Sequence, residues 1–318
     1  MSSTFFHLPG SDIKKVTVSA ATRNALRAQC LEMTVFSVGS GEAIFLRRNK
    51  QVILVDGGAE GSAENVTLGN FLVDYLTKNQ LKLAAFIATH PHTDHLNAIV
   101  PLLHNRGTQL LEPGATYYEN GEDYPEALQS TLVPLLNSPS SGLTRARVTQ
   151  AGTSFTFATD VNIKLFVNGA DKPHPPYKSI YMAVKFGQAS FLFTGDSYIA
   201  YENDLLQSAH KADLPADVLK ITHHGSKYGT GAKFAEQVNP RIAVASTSVK
   251  TDHTLKQEVK DHLTDNGNRK CEIRDTFTER GDIVVRTDGK SRKIGSNEGV
   301  LYEVQSVVPG RYKPAGNS

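Results

Sequence analysis

Thr89-His90-Pro91-His92-Thr93-Asp94-His95 decides the reading of this chain. Three imidazoles and one carboxylate fall within six positions, directly after the apolar run Leu83-Ala84-Ala85-Phe86-Ile87-Ala88. That run reads as a buried strand. Side chains two apart on an extended segment share a face, so the spacing predicts that His90 and His92 converge on one metal site. As the chain leaves the strand, Asp94 and His95 turn toward a second. Nitrogen and carboxylate ligands suit Zn²⁺, one ion or two, and also Mn²⁺ or Fe.

Working outward, apolar strand patterns cover Glu32–Val38, Ala43–Arg48 and Gln51–Asp56, with a hairpin turn at Arg48-Asn49-Lys50. Between Asn65 and Gln80, the residues Leu68, Phe71, Leu72, Tyr75 and Leu76 recur at helical spacing. A second helix is expected over Leu96–His104. Residues 105–150, rich in Gly, Pro and Ser, read as an insertion that caps a cleft, with a helix at Leu128–Leu136. Strand patterns resume at Ser154–Phe157, Asn162–Val167, Ile180–Phe186 and Ser190–Thr194. Helices at Ile199–Ala209, Ala232–Val238 and Thr254–Leu263 alternate with a strand at Ile242–Ala245. Strands at Glu272–Arg274 and Asp282–Arg286 close the pattern. Residues 1–30 read as an N-terminal extension, 31–290 as one domain and 291–318 as a tail. Alternation of this kind suggests layers of sheet and helix.

Composition narrows the class. The chain has 318 residues, 39% hydrophobic and 21% charged, with a formal net charge of +2. It is globular, not disordered, and the charge neither demands nor excludes a polyanionic partner. Cys30 and Cys271 stand far apart in no paired spacing, as in a reduced compartment. The N-terminus lacks a basic start and a long apolar segment. No stretch approaches about 18 uninterrupted apolar residues. The expectation is a cytoplasmic protein with no membrane contact, its oligomeric state open.

The H-x-H-x-D-H spacing resembles the signature of the metallo-β-lactamase fold. So do Val38-Gly39-Ser40-Gly41-Glu42-Ala43, Ile53-Leu54-Val55-Asp56-Gly57-Gly58, Phe193-Thr194-Gly195-Asp196-Ser197 and Leu219-Lys220-Ile221-Thr222-His223-His224-Gly225-Ser226. The opening glycine loop and the Thr-His-His-Gly-Ser turn are closest to the metallo-hydrolase domain of ComEC-type DNA-uptake proteins. There the hydrolase is joined to a membrane channel, whereas here it is expected to stand alone. The resemblance implies an α/β fold, the αββα sandwich of two mixed β-sheets flanked by helices. It also implies that Asp196 bridges two metals and that His253 ligates after a strand. Asp56 is implied behind a ligating histidine, where a carboxylate fixes the ring's tautomer. The superfamily's third histidine for the first metal has only His104 and His174 as candidates. His104 is expected to face solvent; His174 is left as ligand or substrate contact.

His223 and His224 follow the strand Val218–Ile221. Adjacent side chains on an extended chain point opposite ways, so His223 is expected in the site, as ligand or as donor to a developing charge, with His224 packed behind it. Glu42 and Ser40 are expected to line the cleft, and Ser226, Lys227 and Tyr228 to meet a phosphate. The chemistry expected is hydrolysis by a hydroxide generated on the metal, with Asp94 orienting the water or taking its proton. A phosphodiesterase or nuclease acting on nucleic acid or nucleotides is the first reading. Hydrolysis of a lactone, thioester or β-lactam is the second, and a metal-bearing partner subunit of a larger complex the third.

Overall fold

Period-two apolar patterns lay out the strands, and helical spacing fills the segments between them. The computed structural model describes residues 3–59, 61–167, 178–249 and 254–308, with the backbone alone at 106–108. The chain runs β1 (Ser3–Leu8), β2 (Lys14–Val16), α1 (Ala20–Ala28), β3 (Leu31–Val35), β4 (Ala43–Arg48), β5 (Gln51–Gly57), α2 (Ser62–Asn79) and β6 (Lys82–Ile87). Then come α3 (Thr93–Leu96), α4 (Ile99–Leu110), β7 (Leu111–Glu119), α5 (Glu126–Asn137), β8 (Thr144–Arg147), β9 (Thr153–Phe157) and β10 (Val161–Phe166). The remainder is β11 (Tyr181–Phe186), β12 (Ala189–Phe193), α6 (Ile199–Leu205), β13 (Val218–Lys220), α7 (Ala232–Val238), β14 (Ile242–Ala245), α8 (Gln257–Thr264), β15 (Glu272–Asp275), β16 (Asp282–Ile294) and β17 (Asn297–Val307).

Ten strands in the order β2-β1-β17-β16-β3-β4-β5-β6-β7-β8 form one sheet, and seven in the order β15-β14-β13-β12-β11-β10-β9 form the other. Both are mixed. The pairings from β5 through β8 are parallel, as are those from β12 through β15. Side-chain alternation explains the layering. In β5, Ile53 and Val55 enter the core between the sheets, where they join Ile163, Phe191 and Val244. Val52 and Leu54 face the other way, onto Leu68, Leu72 and Leu102 of α2 and α4. On the second sheet, Leu192 and Leu219 meet Leu205, Phe234 and Leu263 of α6, α7 and α8. Strands covered on both faces read as continuous apolar runs. The result is the expected αββα sandwich. Among the described residues no helix is long and apolar enough to cross a membrane.

Strands from outside the expected boundaries at 30 and 290 pair within the first sheet. β1 lies between β2 and β17, and β17 pairs with both β1 and β16. Phe6 and Leu8 enter the inter-sheet core, while Phe5 packs with Leu26 of α1 and Leu301 of β17. Short strands of mixed polarity carry little signal until their partner strand is known. The region 105–150 also supplies strands to this sheet. β7 pairs with β6, β8 pairs with β7, and α5 packs against α3 and α4. Pro113 and Gly114 within β7 masked that strand, whereas α5 contains the helix expected at Leu128–Leu136.

Residues 3–30 are therefore joined to the sheet through β1 and β2. Each large apolar side chain buried there contributes about 1.5–3 kcal/mol. A chain beginning at Leu31 should melt about 10 °C or more below the full chain, or fail to fold. Thermal melts followed by circular dichroism check this; an unchanged melting temperature would restore the reading of residues 1–30 as an appendage.

Candidate metal centre

The candidate side chains gather where parallel strands end, the edge at which α/β sheets present their loops. β6 leads into His90, His92, Asp94 and His95. β12 leads into Asp196, β13 into His223 and His224, β14 into Ser246, and the last residues of β5 include Asp56. Glycines let these loops close on one another. A Cβ at Gly41 or Gly58 would overlap the Asp94 carbonyl. The Gly58 N–H donates to the Glu42 carbonyl at 2.9 Å, and the Glu42 N–H donates to the Asp94 carbonyl at 3.2 Å. Gly195 takes a positive φ of 52° directly before Asp196, a conformation a side chain disfavours.

Asp196 is the meeting point. Its Oδ2 lies 3.3 Å from His95 Nε2, 3.3 Å from His224 Nε2 and 3.8 Å from His223 Nε2. Three overlapping groups each bring their donor atoms within 4.8 Å of one another: His90, His95 and Asp196; Asp94, His95 and His224; Glu42, Asp196 and His224. Second partners set the rings. His95 Nδ1 donates to Asp56 Oδ2 at 2.8 Å and His224 Nδ1 to the Ser246 carbonyl at 3.1 Å. Thr89 Oγ1, which donates to Asp56 at 2.7 Å, lies 3.0 Å from His90 Nδ1. This pattern turns Nε2 of the rings toward the shared space. His92 Nδ1 sits 3.0 Å from His90 Nε2.

Charge follows from this crowding. Burial opposes protonation of His95, but Asp196 and Asp56 override it and hold the ring pKa well above the usual range. Burial opposes His224 in the same way, and Asp196 and Glu42 raise it. Burial, reinforced by His95, drives His90 well below its usual value. Burial would raise Asp196, yet His224, His95 and His223 hold it well below the carboxylate range. His95 Nε2 and Asp196 Oδ1 are buried without a hydrogen bond, which is costly unless a ligand meets them. Imidazole nitrogen and carboxylate oxygen pointed at one space fit a divalent metal.

Two placements differ from expectation. The strand does not continue through the double histidine: His223 (φ 50°, ψ 50°) and His224 (φ 55°, ψ 15°) are both left-handed. Alternation of faces therefore fails, and both rings approach Asp196. The fully buried His224, expected to pack behind, is the closer of the two; His223 is half-buried at the rim. Also, His90 is grouped with His95 and Asp196, so His95 stands between two donor groups instead of belonging to one. His253 and His174 lie outside the described residues. His104 is exposed on α4.

Sequence reasoning missed the supports. Lys220 Nζ lies 2.7 Å from Glu42 Oε2, both side chains almost fully buried beneath His224. Glu42 therefore anchors the site from behind, and does not line the cleft. Glu202, fully buried on α6, accepts from Thr222 Oγ1 at 3.1 Å and from the N–H groups of Thr230 and Gly231 at 2.7 and 2.8 Å. It clamps both ends of the loop that carries the two histidines. Burial pushes its pKa up to about 7, against those hydrogen bonds. A carboxylate on the apolar face of a helix, beside Tyr201 and Leu205, was the available signal.

Residues 37–249 match the family model described as the metallo-beta-lactamase superfamily. The chain is 27% identical over 233 residues to ComE operon protein 3 of Bacillus subtilis, covering 68% of this chain and 28% of that protein. It is 26% identical over 218 residues to Recombination protein 2 of Haemophilus influenzae, covering 68% of this chain and 24% of that one. It thus spans about a quarter of the length of these relatives. Among solved structures, the metallo-beta-lactamase fold protein YhfI of Bacillus subtilis superposes with a TM-score of 0.52 at 15% identity, over 86% of this chain and 99% of that one. Unliganded yeast PDE1 does so with a TM-score of 0.51 at 11% identity, over 77% and 97%. These two likenesses show the fold alone.

His224→Ala should remove more bound metal than His223→Ala, because the buried ring is nearer Asp196 and fixed by Ser246. Elemental analysis of both variants after identical loading is the check, and the reverse order would return the inner position to His223. A pH dependence follows as well. The raised rings of His95 and His224 hold protons in the metal-free protein that must leave before nitrogen can ligate. Metal affinity should therefore rise with pH through and above the ordinary imidazole range, with release of protons. Calorimetry in buffers of different ionisation enthalpy reads this directly, and uptake without proton release would contradict it.

Proposed function

The chain belongs to the metallo-β-lactamase superfamily, and from that membership and the geometry of its site we propose that it is a metal-dependent phosphodiesterase acting on nucleic acid or nucleotides. The observation that carries this reading is the sharing of one buried carboxylate. His95 and His224 each lie 3.3 Å from the same oxygen of Asp196, and donor groups extend to either side of it. Such a set would suit two adjacent ions, and paired ions would favour in-line phosphodiester displacement. The likeness to a protein named for recombination, over 68% of this chain, makes DNA a substrate to test. We propose Zn²⁺ as the natural ion, one or two per chain, with Mn²⁺ as the alternative.

A bound divalent ion would acidify water and neutralise charge on the phosphate oxygens. The chain's own residues do the rest. Asp196, with His90, His95 and His224, holds the centre. Asp94 is 31% exposed on its side chain, its Oδ2 3.9 Å from His95 Nε2. It stands between the buried donors and solvent, placed to orient the attacking water and accept its proton. His223 is pushed below its usual pKa by burial, opposed by Asp196. A neutral ring at the rim offers an N–H to the charge that develops on the phosphate or leaving oxygen.

The test uses protein stripped of metal and reloaded with Zn²⁺ or Mn²⁺, assayed on bis(p-nitrophenyl) phosphate, single- and double-stranded DNA, and a lactone. Metal-dependent cleavage of a phosphodiester is expected, and Asp94→Ala should lower kcat by about a hundredfold or more with the fold intact. Turnover of the lactone with none of the phosphodiesters would replace this reading with carbonyl hydrolysis. Full activity in Asp94→Ala would remove Asp94 from the mechanism.

A further inference from the structure

Beside the centre, against His223, lie two tyrosine rings that the hydrolytic step does not use. Tyr198 follows Asp196 by two positions at the start of α6, and Tyr228 follows His224 by four. The Ile199 N–H donates to the Tyr228 carbonyl at 2.7 Å, tying the two loops together. Their rings lie 5.9 Å apart at 31°. His223 sets its edge against Tyr198 at 5.0 Å and 63°, and stands 6.3 Å from Tyr228. The cluster therefore begins at the ring that approaches Asp196 and runs outward to solvent. Tyr228 is 51% exposed, and the Lys227 ammonium lies 5.3 Å from its ring centroid.

This arrangement has a specific chemistry. The loop is not free to bury Tyr228 by folding inward. Glu202 holds its far end through Thr230 and Gly231, and the Gly229 N–H donates to the Ser226 carbonyl at 3.3 Å. A large ring is thus kept half in water, at a fixed place, next to the metal donors. A rigid aromatic face with an adjacent cation is how proteins hold single-stranded nucleic acid: the base stacks on the ring and the cation meets the backbone phosphate. We propose that Tyr228, backed by Tyr198 and assisted by Lys227, is a platform for the nucleobase next to the scissile phosphodiester. The proposal rests on the phosphodiesterase reading. It makes the preferred substrate a nucleotide ester or an unpaired strand, because a base inside a duplex has no free face to stack.

Two measurements test it separately from that reading. The first is binding of a fluorescein-labelled oligothymidine by anisotropy in EDTA, where no cleavage occurs. Tyr228→Ala should weaken binding about tenfold, and Tyr228→Phe, which keeps the ring, should stay within about twofold of the wild type. The second compares thymidine 5′-(p-nitrophenyl phosphate) with methyl p-nitrophenyl phosphate on metal-loaded protein. The esters share a leaving group and differ in the nucleoside. Tyr228→Ala should raise KM for the nucleoside ester about tenfold relative to the methyl ester, with a smaller effect on kcat. Melting curves confirm that the variants fold. Equal binding of oligothymidine by wild type and Tyr228→Ala, or equal KM changes for both esters, would overturn the platform. If the wild type cleaves neither ester, the phosphodiesterase reading fails, and the anisotropy alone decides whether Tyr228 binds a base.

Discussion

The structure turns on the buried Asp196 carboxylate and the two rings that share it. A charged carboxylate removed from water is unfavourable unless opposite charge and hydrogen bonds surround it. Here the compensation comes from different parts of the chain. His95 arrives from the end of β6 in one sheet, and His224 from the end of β13 in the other. The two sheets therefore meet at this charge as well as across their apolar core. In the metal-free protein Asp196 favours the protonated form of His95 and His224, whose positive charge would balance it. A divalent ion would replace those protons without changing the sign of the balance.

Around that pair the molecule builds outward by fixed polar contacts. Asp56 orients His95 and fixes the Thr89 N–H at 2.8 Å, so β5 dictates the start of the metal loop. The Glu42–Lys220 pair sits behind His224. Such pairs are weak sources of stability but strong constraints on geometry when both members are held. Lys220 also donates to the Ile221 carbonyl at 2.9 Å, at the residue from which the chain turns into the double histidine. That turn places two consecutive non-glycine residues in the left-handed region, at a cost on the order of 1–2 kcal/mol each. Strain kept at a site and countered by surrounding contacts is characteristic of functional loops. The Glu202 clamp and the His223 N–H donating to the Gly195 carbonyl at 3.0 Å are those contacts here.

The relatives give this arrangement a setting. The chain matches about a quarter of ComE operon protein 3 and of Recombination protein 2, so it shares one portion of much longer proteins. Its described helices include none suited to crossing a membrane. Tyr228 stands exposed beside the half-buried His223 at the rim of the site.

The layered fold, the metal motif and the partner carboxylate were legible in the sequence because each is local. A strand covered on both faces writes a continuous apolar run, as at Leu83–Ala88, and ligands packed at its end stand within six positions of one another. Asp196 was visible for the same reason, after Ser190–Thr194 and a glycine. What could not be read there depends on distant partners. β1 and β17 are strands because they pair with each other across nearly the whole chain. The Lys220–Glu42 contact joins residues 178 positions apart, and no periodicity announces it. The choice between His223 and His224 was decided by backbone dihedrals. Alternation holds only for extended chain, and packing against Ser246, Glu42 and Asp196 bends this turn into the left-handed region, bringing both rings to the same carboxylate.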